Sequence, residues 1–130
     1  MAEHPNAELV RRGFQAFRRN PVALARLIAE DAVWRVPGAN AMSGEYRGHA
    51  EIFPFLRRTT ELTGGTYRAE LRWVVADDER AVVLYRAAGE RDDGRSLDIE
   101  QLLLLDVAGG RWTGITAVPL DPVAFDAFWA

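Results

Sequence analysis

The sequence predicts an α+β fold in which three helices cover the concave face of one curled antiparallel sheet, giving a conical half-barrel. Apolar residues at helical spacing dominate the first half of the chain, and long alternating segments dominate the second half. Glycine and aspartate pairs separate the alternating segments, as expected for hairpin turns. Because 130 residues fit one domain of ordinary size, we expect a single domain over residues 1–130.

The helices are predicted from their capping residues and from the spacing of apolar side chains. Asn6, Asn20 and Asp121 each stand where an N-cap is needed, and a proline follows both Asn20 and Asp121. Gly64-Gly65 is typical of a helix C-terminus. The predicted helical segments are 6–19, a shorter one from 21 to about 31, 48–63 and a short one after Asp121.

Alternation of apolar and polar residues predicts one short strand before the third helix and four long strands after it. The short strand ends at Pro37-Gly38, and we expect the loop 38–47 at the mouth of the cone. A meander of four long strands has to curl, and the helices can close only one of its faces, which leaves a cavity between the two layers. The predicted strands are 32–36, 66–76, 81–91, 96–107 and 111–118.

The composition excludes several classes of chemistry. The chain contains no cysteine and no lysine, which excludes disulfides, thiolate metal sites and Schiff-base chemistry. His4 and His49 lie far apart without partners at metal-ligand spacing, so we expect no metal and no cofactor. A net charge of −3 with scattered arginines predicts no nucleic-acid partner and no membrane surface. The N-terminus shows no signal-peptide pattern, so we expect a cytoplasmic protein.

Several short motifs along the chain resemble the nuclear-transport-factor-like superfamily, in particular its SnoaL-like and ketosteroid-isomerase-like branch. The resemblance covers essentially the whole chain and implies a conical α+β barrel with a deep apolar pocket, often dimeric through the sheet. The motifs are LIAEDAVW at 27–34, Pro37-Gly38, Gly44-x-Tyr46-x-Gly48-x-x-x-Ile52, Gly94-Arg95, Gly109-Gly110-Arg111-Trp112 and Asp121-Pro122.

The catalytic residues of two related enzymes are not matched. Ketosteroid isomerases resemble this chain but carry an aspartate base where it has Val36, and a protonated aspartate where it has Leu102. Limonene epoxide hydrolases share an arginine at the position of Arg86, but Ala88 and about Val118 replace their acids. The resemblance therefore implies a pocket and leaves the reaction open.

The same comparison places one face of the long strand 96–107 in the pocket. If Val36 and Leu102 line the pocket, then Asp98 and Glu100 face it too, with carboxylates about 7 Å apart. In an apolar cavity the two carboxylates would repel each other and lose hydration. Both effects raise the pKa of at least one of them toward the range of a general acid or base. We therefore expect Asp98, Glu100 and Arg86 to be catalytic. The alternative is that the acids are solvated or paired to Arg86.

The register of the strand 81–91 stays open at this point, because either Tyr85 or Arg86 faces the pocket. An inward Arg86 would bind a carboxylate or an enolate oxygen. The remaining pocket side chains are expected to bind the substrate. They are Trp34, Val36, Tyr85, Leu102, Leu104 and Phe14.

The leading functional prediction is a cofactor-independent enzyme (an isomerase, cyclase or dehydratase) that transfers protons on a hydrophobic carbonyl compound. The alternative is a non-catalytic ligand-binding or dimeric assembly domain with the same pocket, and a closed cone with no ligand is a third possibility. An enzyme needs a buried, unpaired inward carboxylate, whereas a binding protein does not. The expected partners are a small hydrophobic molecule and a second copy of the chain, since the outer strand faces are unusually apolar.

Overall fold

The computed structural model describes residues 3–130, which form four helices and one six-stranded sheet. The predicted fold class is confirmed. The elements in chain order are α1 (Pro5–Ala16), α2 (Pro21–Leu27), β1 (Ile28–Val36), β2 (Gly44–Arg47), α3 (Gly48–Leu62), β3 (Arg68–Ala76), β4 (Arg80–Glu90), β5 (Ser96–Ala108), β6 (Arg111–Pro119) and α4 (Pro122–Trp129).

The sheet is not entirely antiparallel, in contrast to the prediction. Its strand order is β2-β1-β6-β5-β4-β3, and β1 runs parallel to β6 at the junction between the N-terminal part and the meander. β2 lies in the segment predicted as loop 38–47, where it pairs with β1 as an edge strand. The predicted meander of four strands forms the other half of the sheet.

The sheet curls at irregularities in the strand pairing, because an extra residue bends a strand and increases its twist. One such irregularity lies in β3 between Leu71 and Trp73, and another between β5 and β6 at Asp106. The β3 irregularity turns Leu71 inward and Trp73 outward, so Trp73 is 44% exposed. A single extra residue thus changes which face every later side chain of β3 occupies.

The capping residues hold three helices at their N-termini. Asn20 and Asp121 accept hydrogen bonds from the backbone N–H groups of Ala23 and Ala124, which confirms both predicted caps. At α1 the N-cap lies two residues earlier than predicted, at His4 instead of Asn6. There His4 Nδ1 accepts from the backbone N–H of Asn6 at 3.0 Å, and Pro5 takes the first helical position.

All four helices pack on the sheet and enclose the core. α1 packs on β3 and β4, α2 and α3 pack on β1, and α4 packs on β5. The fourth helix therefore helps to close the cone, where three had been expected. Among residues 3–130, no helix is long and apolar enough to cross a membrane.

Candidate functional site

The space between the helices and the sheet contains an apolar cavity of about 70 Å³. Every helix contributes to its wall, including Phe14 from α1, Leu24 from α2, Phe55 from α3 and Trp129 from α4. From the sheet, the inward faces of β1, β3, β4, β5 and β6 also line the cavity. The cavity is smaller than the roughly 150 Å³ that accommodates benzene in an engineered protein core, so a ring-sized ligand requires some side chains to move.

Four of the predicted pocket residues line this cavity. Trp34 and Val36 lie on the inward face of β1, Tyr85 on β4 and Phe14 on α1. Phe14 packs edge-on against the Tyr85 ring, with 5.2 Å between the ring centroids. The open choice between Tyr85 and Arg86 is thereby decided, because Tyr85 is buried in the cavity wall and Arg86 is on the opposite face.

The prediction of which face of β5 points into the cavity is wrong, because the inward positions are shifted by one residue. The cavity is lined by Gln101 and Leu103, while the even-numbered positions lie on the outer face. Pairing with β4 fixes this register, since Gln101 lies opposite the inward Tyr85 and Glu100 opposite the outward Arg86. The residues that the prediction placed in the pocket and the structure places outside it are Arg86, Asp98, Glu100, Leu102 and Leu104.

On the outer face, Arg86 and Asp98 form a two-bond ion pair. Arg86 Nε and Nη2 donate to the two carboxylate oxygens of Asp98 at 2.8 and 2.9 Å, and Nη1 donates to Glu70 at 3.1 Å. The Arg86 hydrogen bonds hold the pKa of Asp98 below its ordinary value, and Asp98 in turn raises the pKa of Arg86. Asp98 is thus the paired, solvated acid of the alternative interpretation.

The cavity wall contains a buried polar cluster made of Tyr67, Tyr85 and Gln101. Gln101 Nε2 donates a hydrogen bond to the Tyr85 hydroxyl at 2.6 Å, and the Gln101 residue is only 3% exposed. Burial raises the pKa of Tyr67 to about 12, partly offset by the Tyr85 hydroxyl. Burial also raises the pKa of Tyr85 well above 10, and the neighbouring Tyr67 adds to the increase. Both phenols are therefore protonated at neutral pH and can donate a hydrogen bond.

Two polar atoms in the cavity wall have no hydrogen-bond partner among residues 3–130. They are Gln101 Oε1 and Trp112 Nε1. A buried polar atom without a partner costs about 1–3 kcal/mol, so such atoms mark places where a ligand or water can bind. Both side chains line the cavity, Gln101 from β5 and Trp112 from β6.

Three residues of the cavity wall were not predicted from the sequence: Tyr67, Gln101 and Trp112. A signal for Gln101 was present, because it is the only polar residue at the odd positions 97–107, which otherwise carry aliphatic residues. The even positions 98–106 carry three carboxylates and fit a solvated face better. For Tyr67, the residue before β3, the local sequence offers no comparable signal.

The arrangement can bind a ligand oxygen but offers few groups for moving a proton. The polar side-chain groups among the cavity-lining residues of the described chain are two phenols, one amide, the Thr59 hydroxyl and three indoles, with no carboxylate or imidazole. The Tyr85 hydroxyl accepts from Gln101, so its own proton remains available for Tyr67 or a ligand. No group of three His, Asp or Glu side chains within residues 3–130 is placed to hold a metal ion.

Comparison with known proteins shows relatives over the full chain. Uncharacterized protein Rv0034 of Mycobacterium tuberculosis (strain ATCC 25618 / H37Rv) is 35% identical, with 100% of each chain covered. The structure of Bal32a, from a soil-derived mobile gene cassette, is 34% identical, with 97% of each chain covered and a TM-score of 0.92.

The fold is shared more widely than the sequence. An NTF2-like protein of unknown function from Burkholderia pseudomallei K96243 is 22% identical, with 98% of each chain covered and a TM-score of 0.85. The SnoaL-like domain model matches residues 10–115, which include the C-terminal part of α1, every element from α2 to β5 and the start of β6. The chain therefore belongs to the SnoaL-like domain family.

Proposed function

We propose that this protein binds a small hydrophobic carbonyl compound in the cavity, with the ligand oxygen held by the Tyr85 hydroxyl. The observation that carries the proposal is the buried phenol–amide cluster in an otherwise apolar wall. Ligand sites typically combine an apolar lining with a few placed polar groups. A protonated phenol suits a carbonyl oxygen, because it donates one hydrogen bond and carries no charge into the apolar site.

Binding is favoured over the proton-transfer enzyme by the position of the acids. A protein-supplied base for proton abstraction would have to lie within hydrogen-bond reach of the substrate. Asp98 and Glu100 are on the outer face of the sheet, where Asp98 is already paired with Arg86. The charged groups of β5 are thereby separated from the cavity by the sheet itself.

A second candidate function follows from the same phenols. An uncharged hydrogen-bond donor aimed at a carbonyl also stabilises the enolate or oxyanion that forms from it. An isomerase or cyclase that uses water or the substrate itself as the base would need no carboxylate in the wall. The elevated pKa of Tyr85 is compatible with such a donor, because the phenol keeps its proton at neutral pH.

Acetophenone and ethylbenzene test the proposal, because they share a ring and differ in the carbonyl group. Binding is followed through tryptophan fluorescence, since Trp34, Trp112 and Trp129 line the cavity. We expect acetophenone to bind more tightly than ethylbenzene. In Tyr85→Phe the preference should fall by roughly threefold to tenfold, the range for one buried hydrogen bond.

Tyr46→Phe is the matched control, because the Tyr46 hydroxyl donates to the Met42 carbonyl and lies outside the cavity wall. Equal binding of the two compounds in the wild type, or an unchanged preference in Tyr85→Phe, would contradict the proposal. Deuterium exchange at the acetophenone methyl group separates the two candidate functions. Exchange that depends on Tyr85 supports the enolising enzyme, and its absence supports binding alone.

A further inference from the structure

The cavity adjoins a wide groove between α1 and β3, with a volume of about 640 Å³. Four residues belong to the walls of both spaces: Phe14 and Phe17 from α1, Tyr67 just before β3, and Ala69 within it. Phe14 and Phe17 are only half-buried, so their rings can change position at moderate cost. The groove is therefore the natural route from solvent into the cavity.

The groove has the opposite charge to the protein as a whole. Four arginines line it, namely Arg11, Arg18, Arg19 and Arg68, against the single carboxylate of Glu70. The entire chain has a net charge of −3. Positive charge is thus concentrated beside the entrance to an apolar cavity, a distribution that attracts anions.

Two of these arginines have structural roles already. Arg18 donates hydrogen bonds to the backbone carbonyls of Tyr67 at 2.6 Å and Gly65 at 2.9 Å, which joins the end of α1 to the start of β3. Arg11 pairs with Glu3 at 2.9 Å. Glu70 is engaged by Arg86 from the outer face of the sheet.

The other two arginines are free to bind a ligand. Within residues 3–130, Arg19 and Arg68 take part in none of the ion pairs and donate no side-chain hydrogen bond. Both are exposed, one just after α1 and the other at the first residue of β3. Guanidinium groups bind carboxylate and phosphate oxygens with two parallel hydrogen bonds.

We propose that the ligand of this site is an amphipathic anion whose apolar body occupies the cavity and whose carboxylate or phosphate group lies in the groove against Arg19 and Arg68. This inference rests on the proposed function, because it assigns the apolar body to the same cavity. Tyr67 is shared by the two spaces, so its side chain lies where the apolar body would meet the anionic group.

The test compares 4-phenylbutanoate with 4-phenylbutan-1-ol, which share a ring and spacer and differ in the charge at the end. Both are titrated against tryptophan fluorescence. We expect the carboxylate to bind more tightly, and each of Arg19→Gln and Arg68→Gln to weaken it by roughly threefold to tenfold, as for a partly exposed charged hydrogen bond. Added salt should weaken the binding of the carboxylate and leave the binding of the alcohol unchanged.

Arg57→Gln is the matched control, since Arg57 is exposed on α3 and lies outside the groove. Ala69→Phe narrows the junction between the cavity and the groove and should therefore weaken the binding of both compounds. If the alcohol and the carboxylate bind equally, or the double variant of Arg19 and Arg68 leaves the carboxylate unaffected, this inference is wrong while the proposed function stands. If neither compound binds and acetophenone fails as well, the proposed function is wrong.

Discussion

At the scale of single residues, close packing at Gly13 decides how near α1 can approach the sheet. A Cβ atom built on Gly13 would overlap the ring of Trp112 on β6, although the residue lies inside a helix with ordinary backbone angles. Glycine in a helix interior costs about 1 kcal/mol relative to alanine. Close packing offsets that cost, because a glycine at this position lets α1 cover the buried indole of Trp112 and one end of the cavity.

Gly13→Ala should therefore destabilise the protein, against the usual gain of alanine in a helix. We expect the free energy of unfolding to fall by about 1–3 kcal/mol, the typical cost of overpacking a core. Chemical denaturation measures the change. Arg12→Ala, an exposed change in the same helix, should alter stability by no more than about 0.5 kcal/mol. A stabilised Gly13→Ala protein would show that α1 is not held against Trp112.

The two buried phenols also predict how stability depends on pH. The pKa of Tyr67 is about 12 in the folded protein, compared with about 10 in an unfolded chain. Between those values the folded protein retains a proton that the unfolded chain has released. The free energy of unfolding should fall by about 1.4 kcal/mol per pH unit for one such group, and the elevated pKa of Tyr85 acts in the same direction.

We therefore expect full stability from this source below about pH 10 and its loss as the pH rises toward about 12. Denaturation at a series of alkaline pH values gives the slope, and Tyr85→Phe removes one of the two groups and should give a shallower slope. In Tyr46→Phe, which removes the third and only half-buried tyrosine, tyrosinate absorbance should appear together with unfolding. Tyrosinate formation in Tyr46→Phe while that protein is still folded would contradict the buried positions of Tyr67 and Tyr85.

At the scale of elements, α4 closes the cavity from the C-terminal side. Asp121 caps its first turn, and Phe125 and Trp129 from its inner face line the cavity. Its last carbonyls accept hydrogen bonds from the β4–β5 hairpin, where Arg91 reaches Phe128 at 2.8 Å and Arg95 reaches Ala130 at 2.9 Å. Side chains from outside the core thus hold both ends of α4, with Asp121 at its start and Arg91 and Arg95 at its end.

Asp121→Ala removes the cap and should lower the free energy of unfolding by about 1 kcal/mol. Asp121→Asn retains a side-chain oxygen that can accept from Ala124, and is expected to stay close to the wild type. Thermal denaturation of the two variants provides the measurement. Equal loss in both would indicate that the charge of Asp121, and not its capping hydrogen bond, stabilises α4.

At the scale of the whole molecule, the outer face of the sheet carries exposed apolar side chains that the cavity does not account for. Three of the six large apolar side chains that are exposed in the described residues lie there: Trp73, Val75 and Leu104. Val75 and Leu104 lie on one cross-strand row through Val82, and Trp73 heads the next row through Leu84. The neighbouring Arg86, with its two carboxylate partners, provides both signs of charge, as a self-complementary contact requires.

We propose that this face pairs two copies of the chain, as the sequence analysis expects. Sedimentation should give a species near twice the chain mass of 14.5 kDa. Leu104→Glu should convert the dimer to a monomer, because a charge within the apolar row cannot be buried without a partner. Val22→Glu is the control, since Val22 is 63% exposed on α2 and far from this face in the fold. A wild-type monomer at micromolar concentration would contradict the proposal.

The sequence by itself determined the fold class, the family, most element boundaries and the caps at Asn20 and Asp121, because each depends on local spacing or on turn chemistry. It also identified Trp34, Val36 and Phe14 as cavity residues. Only the tertiary structure decided which face of β5 is inward, and so excluded Asp98 and Glu100 in favour of Gln101. The three carboxylates at the even positions 98–106 favour the odd face as the inward one, but both faces of β5 carry leucines, so composition alone does not fix the choice. The pairing with β4 fixes it, because Gln101 lies opposite the inward Tyr85 and Glu100 opposite the outward Arg86.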